Sequence, residues 1–295
     1  MHVIVHGGAC SDTDEPAARQ RTLEEAAETG ADAATPLDAV EAAVNVLEAA
    51  PLFNAGVGSV PQSDGEIRTD AGIMTDDRSV GAVCSMPGVE RAVSVARVVL
   101  AETPHILLSG EHAVSLADAC GIDTGVDLWT DRTRELWDDL DAPAAGPTRQ
   151  LEWVRGTFDE TDSDGSTSDP ADHDTVGAVA FDGDAFAAAT STGGRLGALA
   201  GRVGDVPQVG SGYYCSSAGA AGATGAGEDI ARTMLSRRVV RHLEDGRDAQ
   251  SATDRAIEEF EELTGSAAGV IAIDDRGTIG SAYNSDSMAT ASVRR

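Results

Sequence analysis

Apolar residues recur along the N-terminal part of the chain at spacings that change from strand-like to helical. Residues 2–6 are a short apolar run and predict a buried strand that ends at the Gly7-Gly8 pair. Residues 16–33 are rich in Ala, Glu and Arg and predict a helix. A second helix is predicted to begin at Pro36, since apolar residues then follow at helical spacing, namely Leu37, Val40, Val44 and Leu47.

The next segment continues this alternation of strands and helices. A glycine-rich loop over residues 54–59 comes first. Residues 79–86 then predict a strand, residues 91–102 a helix with valines on its inward side, and residues 105–108 a short strand. Such alternation is typical of mixed α and β proteins.

The C-terminal part predicts two hairpins with two helices between them. Each hairpin joins two apolar runs through a turn that contains Asp and Gly, at residues 176–181 with 185–190 and at residues 269–273 with 278–283. Amphipathic patterns over residues 228–244 and 248–263 predict the two helices. This part is therefore predicted to run strand pair, helix pair, strand pair.

An acidic tract separates the two parts of the chain. Seven of the 19 residues from 156 to 174 are acidic, and Phe158 is the one large apolar side chain among them. A segment of this composition cannot nucleate a hydrophobic core, so we expect a flexible linker over residues 156–174. It ends at Asp174, directly before the apolar run that begins with Thr175 and Val176.

The excess of acidic over basic residues predicts a strongly negative protein surface. The 295 residues include 50 Asp and Glu against 21 basic residues, all of them arginine, and the formal net charge is -29. Molar salt shortens the Debye length to about 3 Å and screens the self-repulsion of such a surface. We therefore expect a halophilic protein that works in a high-salt cytoplasm.

Several classes of function are not indicated by the sequence. Binding of nucleic acid needs a basic stripe, and the arginine pairs do not extend into one. The cysteines show no CxxC spacing and the histidines no HExxH spacing, so neither a disulfide framework nor a zinc site is predicted. The N-terminus reaches a glycine turn without a basic or long apolar segment, so we expect neither a secretion signal nor a membrane span.

The junction between Asp174 and Thr175 is the strongest chemical signal. Cleavage of this bond would give Thr175 a free α-amino group beside its own hydroxyl, so one residue would hold both nucleophile and base. A terminal amine has a pKa of about 7.7 to 8, whereas the hydroxyl of an internal threonine has no such base and is a poor nucleophile. From the junction alone, a strand that simply starts with threonine after a loop is an equally good interpretation.

Six short segments follow one another between residues 5 and 228. They are VHGGA at 5–9, FNAGVGS at 53–59, HDTVG at 173–177, STGG at 191–194, GRVGD at 201–205 and ATGAGE at 223–228. Each is weak alone, but in this order and at this spacing they are specific. With them, the chain resembles the plant-type asparaginase and isoaspartyl peptidase family of N-terminal-nucleophile hydrolases.

The resemblance implies a fold, an activation step and a reaction. The fold is α+β, a four-layer αββα sandwich formed by a single domain over residues 1–295. Autocleavage would give an α chain of residues 1–174 and a β chain of residues 175–295, assembled as a dimer of αβ units. The enzyme would hydrolyse the side-chain amide of asparagine and of β-aspartyl dipeptides, which are small-molecule substrates, and would need no organic cofactor.

The resemblance also implies roles for two threonines and two charged residues. Thr175 would be the nucleophile, and Thr192 would position it and relay protons. Arg202 would bind the α-carboxylate of the substrate and Asp205 its α-ammonium group, which suits an amino-acid zwitterion. Without the family context, Arg202 and Asp205 would be an ordinary surface ion pair, and Thr192 would be part of a turn.

Further positions carry weaker implications. Thr224 and Gly225 would form the oxyanion hole, Gly227 would add a main-chain contact, and Asn54 would orient substrate or water. In some relatives main-chain carbonyls hold a sodium ion, and the matching residues here are Leu47, Glu48, Ala50, Phe53, Ala55 and Val57. Residues 222–227 also resemble a phosphate-binding turn, although a strong preceding strand and a P-loop lysine are lacking.

The chain departs from its relatives in several places. Arg195 follows the STGG segment where an apolar residue is common, so the balance between asparagine and β-aspartyl dipeptides is open. Ala226 replaces a frequent Thr or His, and Gly72 replaces a usual Ser or other small residue. Asp174 before the nucleophile is also typical of the related glycosylasparaginases, which are one alternative. A relative that folds without cleavage and only binds acidic amino acids is another.

Overall fold

Two β-sheets and the helices that cover them position the candidate residues. The computed structural model describes residues 1–10, 15–140, 142, 146–159 and 175–295. Its helices are α1 (Pro16–Ala31), α2 (Pro36–Glu48), α3 (Ala92–Glu102), α4 (Gly110–Ala119), α5 (Asp131–Asp139), α6 (Pro147–Asp159), α7 (Gly227–Thr233), α8 (Leu235–Glu244) and α9 (Ala249–Thr264). Its strands are β1 (His2–Cys10), β2 (Arg68–Thr75), β3 (Val80–Pro87), β4 (Leu107–Ser109), β5 (Val176–Phe181), β6 (Phe186–Thr192), β7 (Tyr213–Ser216), β8 (Gly219–Gly225), β9 (Ala268–Asp274), β10 (Ile279–Tyr283) and β11 (Ser287–Arg294).

The strands of the described ranges form a larger and a smaller sheet. The larger sheet has the order β11, β1, β5, β6, β2, β3, β4, and the smaller has the order β10, β9, β8, β7. The predicted hairpin of β5 and β6 lies at the centre of the larger sheet, and its residues are small or apolar and all buried. A strand covered on both faces is expected to lack polar alternation, as these two do. The second predicted hairpin, β9 with β10, belongs to the smaller sheet.

Three hydrophobic clusters hold these elements together. One joins helices α1, α2 and α3 to the larger sheet, and a second joins α8 and α9 to the smaller sheet. The third contains Ile4 and Val179 of the larger sheet together with Ala220 and Ile271 of the smaller one. The two sheets therefore pack face to face through this third cluster.

Local sequence explains where two helices begin. Helix α2 starts at Pro36 as predicted, and the hydroxyl of Thr35 accepts a hydrogen bond from the Asp38 N–H at 3.2 Å. Helix α9 starts after Asp248, whose carboxylate accepts from the Ser251 N–H at 2.9 Å. Each side chain satisfies a main-chain donor that the first helical turn leaves unpaired.

Strand β1 is longer than the sequence pattern predicts. The Gly7-Gly8 pair does not end it, and pairing with β11 resumes at Ala9 after a register shift that follows His6. Gly8 has a φ of 102°, which other residues rarely adopt. The glycines therefore form a bulge within the strand, and the predicted turn was wrong.

Two helical predictions also need correction. The single helix predicted over residues 228–244 is two helices, α7 and α8, which meet at Met234 with a φ of 54°. The linker predicted over residues 156–174 needs correction at its start, because α6 continues through Asp159. The remainder of that tract, residues 160–174, lies outside the described residues.

Strand β8 had no clear signal in the sequence. Six of its seven residues are Gly or Ala, which are depleted in strands, and only Thr224 favours one. It nevertheless pairs with both β7 and β9, because small side chains let it lie between helices and the larger sheet. A strand therefore does precede the ATGAGE segment, contrary to the expectation from sequence.

Gly72 on β2 permits close packing of the two sheets, so its substitution should destabilise the protein. A Cβ atom at this position would overlap the ring of Tyr213, which is fully buried on β7. We expect Gly72→Ala to lower the free energy of unfolding by about 1–3 kcal/mol. Chemical denaturation in concentrated salt measures this, with Gly156→Ala as the control, because a Cβ there meets no atom within 4 Å. Equal stability of the two variants would contradict the prediction.

Candidate active site

Thr175 and Thr192 meet at one end of the layer between the sheets. Thr175 directly precedes β5, and Thr192 is the last residue of the partner strand β6. The Thr175 Oγ1 donates to the Thr192 Oγ1 at 3.2 Å, and both residues are buried. The Thr192 oxygen also accepts from the Gly194 N–H at 3.1 Å, which orients it. The structure thus brings together the two threonines that the sequence singled out.

Asn54 holds the glycine turn that follows Thr192. Its side-chain amide donates to the Gly194 carbonyl at 2.7 Å and its amide oxygen accepts from the Val60 N–H at 3.0 Å. A Cβ atom at Gly193 would overlap Asn54 and Ser59, so the turn requires glycine there. Both ends of the Asn54 amide therefore bond to the backbone, and its role in orienting substrate or water stays a prediction.

Arg202 is held in place by Glu228. The Nε and Nη2 atoms of Arg202 donate to the two carboxylate oxygens of Glu228 at 2.8 and 2.7 Å, a bidentate ion pair. Burial raises the pKa of Glu228, but hydrogen bonds to Arg202 and its charge outweigh burial and lower that pKa to about 2. No role was predicted for Glu228 from sequence, although it ends the ATGAGE segment.

Asp205 lies next to the same guanidinium group, against Gly227. A Cβ atom at Gly227 would lie 2.8 Å from the Asp205 Oδ1 and 2.9 Å from the Arg202 Nη2, so these three predicted residues are neighbours. Asp205 is 5% exposed, and its Oδ2 has no hydrogen-bond partner among the residues that the structure describes. Burial raises the pKa of Asp205 to about 7, against the opposing charge of Arg202. A buried carboxyl with an unpaired oxygen is suited to a cationic ligand.

Thr224 lies at the end of β8 that is nearest the two threonines. Gly222 on the same strand is next to His6 and Thr190 of the larger sheet, while Ala220 is in the cluster between the sheets. Because side chains alternate along a strand, Thr224 faces the same layer, on the side of Gly222 away from Ala220. On β6, Thr192 lies beyond Thr190 in the same direction as Thr224 lies beyond Gly222 on β8. Thr192 and Thr224 are therefore at the same end of the layer.

The sequence of the chain is similar to those of known proteins. The family model described as Asparaginase matches residues 1–295 of the chain. The chain belongs to the asparaginase family. Among its relatives are the plant-type L-asparaginase of Pyrococcus furiosus, 37% identical over 99% of this chain and 96% of the relative, and that of Pyrobaculum calidifontis, 38% identical over 97% and 95%. The isoaspartyl peptidase/L-asparaginase of Danio rerio is 35% identical over 99% of this chain and 92% of the relative.

Two buried side chains near this asparaginase-family site, those of Glu48 and His6, had no role predicted from sequence, where only the main-chain carbonyl of Glu48 had one. The Glu48 Oε1 accepts from the Ser191 hydroxyl at 2.5 Å and from the Val93 N–H at 3.0 Å, and burial raises the pKa of Glu48 to about 8. Glu48 thereby anchors β6 one residue before Thr192. An acidic residue four positions after Val44, on the inward face of α2, was the available signal.

The imidazole of His6 lies between the sheets. His6 is fully buried, and among the described residues no group meets hydrogen-bond geometry with either ring nitrogen. Burial lowers the pKa of His6 to about 3, although the nearby backbone of Thr175 opposes this shift. The ring is therefore neutral. There is space for it because Gly177 on β5 and Gly222 on β8 have no side chains. The VHGGA segment contained this histidine, but nothing in it indicated burial beside Thr175.

The loop predicted to hold sodium folds back on helix α2. The Val57 N–H donates to the Glu48 carbonyl at 2.8 Å, and a Cβ atom at Gly58 would lie 2.8 Å from the Phe53 carbonyl oxygen. Neutral main-chain oxygens turned toward one short loop fit a small hard cation. In the described ranges, no group of three His, Cys, Asp or Glu residues could hold a metal ion. Sodium ligation in this asparaginase-family chain stays a prediction.

Arg195 lies near the site, as the sequence suggested. Its guanidinium carbon is 4.1 Å from the ring centroid of Phe158 on α6, and its charge contributes to the low pKa of Glu228. Its effect on specificity stays a prediction. The predicted cleavage site between Asp174 and Thr175 is not covered, because His173 and Asp174 lie outside the described residues. Across the part of the chain that is described, every helix is too short or too polar to cross a membrane.

Proposed function

We propose that this chain is an isoaspartyl peptidase and L-asparaginase whose nucleophile is Thr175. The observation that carries the proposal is the 3.2 Å contact between the hydroxyls of Thr175 and Thr192 at the start of β5. The relatives that bear these activities in their names match nearly the full chain. The convergence of Arg202, Asp205 and Gly227 supports an amino-acid substrate.

Activation is proposed to begin with the uncleaved chain. The Thr175 hydroxyl attacks the Asp174 carbonyl carbon, the peptide C–N bond breaks, and the Thr175 nitrogen takes up the proton. Water then hydrolyses the resulting ester, which frees the Asp174 carboxylate and restores the hydroxyl. The products are an α chain of residues 1–174 and a β chain of residues 175–295 that begins with a primary amine.

Turnover uses that amine as the base. The Thr175 hydroxyl attacks the side-chain carbonyl carbon of the substrate while the α-amine accepts its proton. Thr224 and Gly225 stabilise the oxyanion, and collapse expels ammonia or an amino acid with that proton. Water then hydrolyses the ester between Thr175 and the aspartyl group and releases aspartate.

Recognition of the substrate depends on the zwitterion at its other end. Arg202 is proposed to bind the α-carboxylate and Asp205 the α-ammonium group. Glu228 uses two donors of Arg202 and fixes the direction of the guanidinium plane. A free α-carboxylate and α-amine occur together in asparagine and in β-linked aspartyl peptides, so both fit this pair.

The larger architecture is part of the proposal. Helices on the outer side of each sheet and a hydrophobic cluster between the sheets support a four-layer αββα sandwich. We propose a single domain over residues 1–295, assembled as a dimer of αβ units. The acidic surface supports activity at high salt, with a net charge of -29 to be screened.

The test combines intact mass with product analysis in concentrated salt. We expect two fragments that divide between Asp174 and Thr175, ammonia from asparagine, and aspartate from β-aspartyl dipeptides. Faster hydrolysis of glycosylated asparagine would favour a glycosylasparaginase instead. A chain that stays intact and binds aspartate without turnover would favour a binding protein and contradict the proposal.

A further inference from the structure

Asp70 lies beside Thr192 on the sheet face that carries the nucleophile. In the register of β2 with β6, Asp70 is directly opposite Thr192, and Thr175 contacts Thr192 from the other side. Directly opposed residues on antiparallel strands point to the same face, with Cβ atoms about 4.5–5.5 Å apart. Thr175, Thr192 and Asp70 therefore form a row across three neighbouring strands.

The carboxyl group of Asp70 is held in a fixed position. Asp70 is 3% exposed, and its Oδ1 accepts from the Ser85 N–H at 2.7 Å. Ser85 has a φ of 56°, a left-handed conformation that is uncommon for a residue other than glycine. The local backbone thus fixes one oxygen of the carboxyl group, on the face of the sheet that Asp70 shares with Thr192.

Asp70 interacts electrostatically with the groups predicted to bind substrate. The charge of Arg202 lowers the pKa values of both Asp70 and Asp205, while burial raises each of them to about 7. Asp70 in turn contributes to the raised pKa of Asp205. Two other ionisable groups are involved. Burial and the charge of Asp70 raise the pKa of Cys84 on β3 to about 11. The charge of Glu228 contributes to the raised pKa of Asp205.

We propose that Asp70 is a second carboxyl group that binds the α-ammonium group of the substrate, together with Asp205. Two buried carboxyl groups that interact electrostatically with each other, and with the Arg202 guanidinium, repel each other unless a cation joins them. The unpaired Oδ2 of Asp205 shows that such a donor is missing among the described residues. An ammonium group between Asp70 and Asp205 supplies both the positive charge and the N–H donors. This inference rests on the proposed function, since it concerns the same substrate.

The proposal predicts how affinity depends on pH. In the free enzyme both carboxyl groups have raised pKa values near 7, so they become protonated as the pH falls through that value. A bound ammonium group favours their ionised forms, so binding below that pH must first remove protons. The KM for asparagine is therefore expected to rise as the pH falls below about 7, and removal of one carboxyl group should make this rise less steep.

The decisive experiment replaces Asp70 with Asn and compares two substrates. Asparagine carries the α-ammonium group, whereas succinamic acid has the same amide and carboxylate without it. Asp70→Asn keeps an oxygen for the Ser85 N–H but loses the charge. We expect the ratio of kcat/KM for asparagine to that for succinamic acid to fall about 10- to 100-fold, mainly through the KM for asparagine.

Two further variants separate recognition from structural support. Asp70→Glu restores the charge and should recover part of the ratio. Asp274→Asn is the matched control, because Asp274 is equally buried at 3% exposure and accepts main-chain hydrogen bonds away from the site. It should lower stability without changing the ratio. Asp70 would be only structural if Asp70→Asn slowed both substrates equally.

A binding measurement keeps the proposal testable if Asp70→Asn is not processed. Aspartate should raise the melting temperature of the wild type more than succinate does, and this difference should vanish in Asp70→Asn. A difference that persists would overturn the inference. If the wild type hydrolyses neither amide, the proposed function fails, while the comparison of aspartate with succinate still decides the role of Asp70.

Discussion

Thr175→Ala should abolish both cleavage of the chain and hydrolysis of asparagine. The substitution removes the one hydroxyl that the proposal uses as nucleophile in both reactions, and the alanine methyl group fits the buried position at the start of β5. Loss of a catalytic nucleophile lowers kcat by a factor on the order of 10⁴ to 10⁶. Intact mass in concentrated salt measures the cleavage, and ammonia release measures the hydrolysis.

Thr175→Ser is the control for that experiment. Serine retains the hydroxyl, so it should still cleave and hydrolyse, at a reduced rate because the threonine methyl no longer restricts the side chain. Circular dichroism should show the same fold in both variants. If a folded Thr175→Ala protein still splits between Asp174 and residue 175, or hydrolyses asparagine at the wild-type rate, the nucleophile has been assigned wrongly.

Thr224→Ala should reduce turnover strongly while leaving substrate affinity nearly unchanged. Thr224 faces the layer between the sheets at the end where Thr175 and Thr192 meet, and it is fully buried. An oxyanion-hole donor acts on charge that develops in the transition state, so its loss should lower kcat about 10²- to 10³-fold with little change in KM. Steady-state kinetics on the processed enzyme measure the two constants separately.

Thr224→Ser should retain most of this activity, because it keeps the hydroxyl donor. A matched change elsewhere in the same layer is Thr190→Ala, which removes a buried hydroxyl that donates to the Val206 carbonyl at 3.4 Å. We expect it to affect stability more than kcat. If Thr224→Ala raised KM and left kcat intact, Thr224 would be a substrate contact and not part of the oxyanion hole.

Helices α1, α2, α3 and α9 and the two hairpins followed from local pattern, but other helices and several strands did not. Helix α2 starts at Pro36 because a proline, a threonine cap and an inward apolar stripe all agree. Strand β8 is made of small residues whose local preference is not for a strand, and it forms because it pairs on both sides. The break at Met234 has no sequence signal, since the pattern of apolar residues continues through it.

Some residues of the candidate site were likewise predicted from sequence, and others were identified only by the structure. Short segments that resemble a family pointed to Thr175, Thr192, Arg202 and Asp205, and the structure gathers these residues at one end of the layer between the sheets. It also buries three side chains for which no role was predicted from sequence: His6 and Asp70 in that layer, and Glu48 on the helix side of β6. Each is a polar residue buried by tertiary packing, and burial is what changes its pKa.

The sequence by itself determined the order of most elements, the acidic surface and the family to which the chemistry belongs. These properties are local or additive, so they can be counted along the chain. The tertiary structure alone decided which strands are neighbours, and hence that Asp70 lies opposite Thr192 and that Glu228 pairs with Arg202. Residues far apart in sequence acquire such contacts only when sheets pair and pack, because register and burial depend on the whole fold.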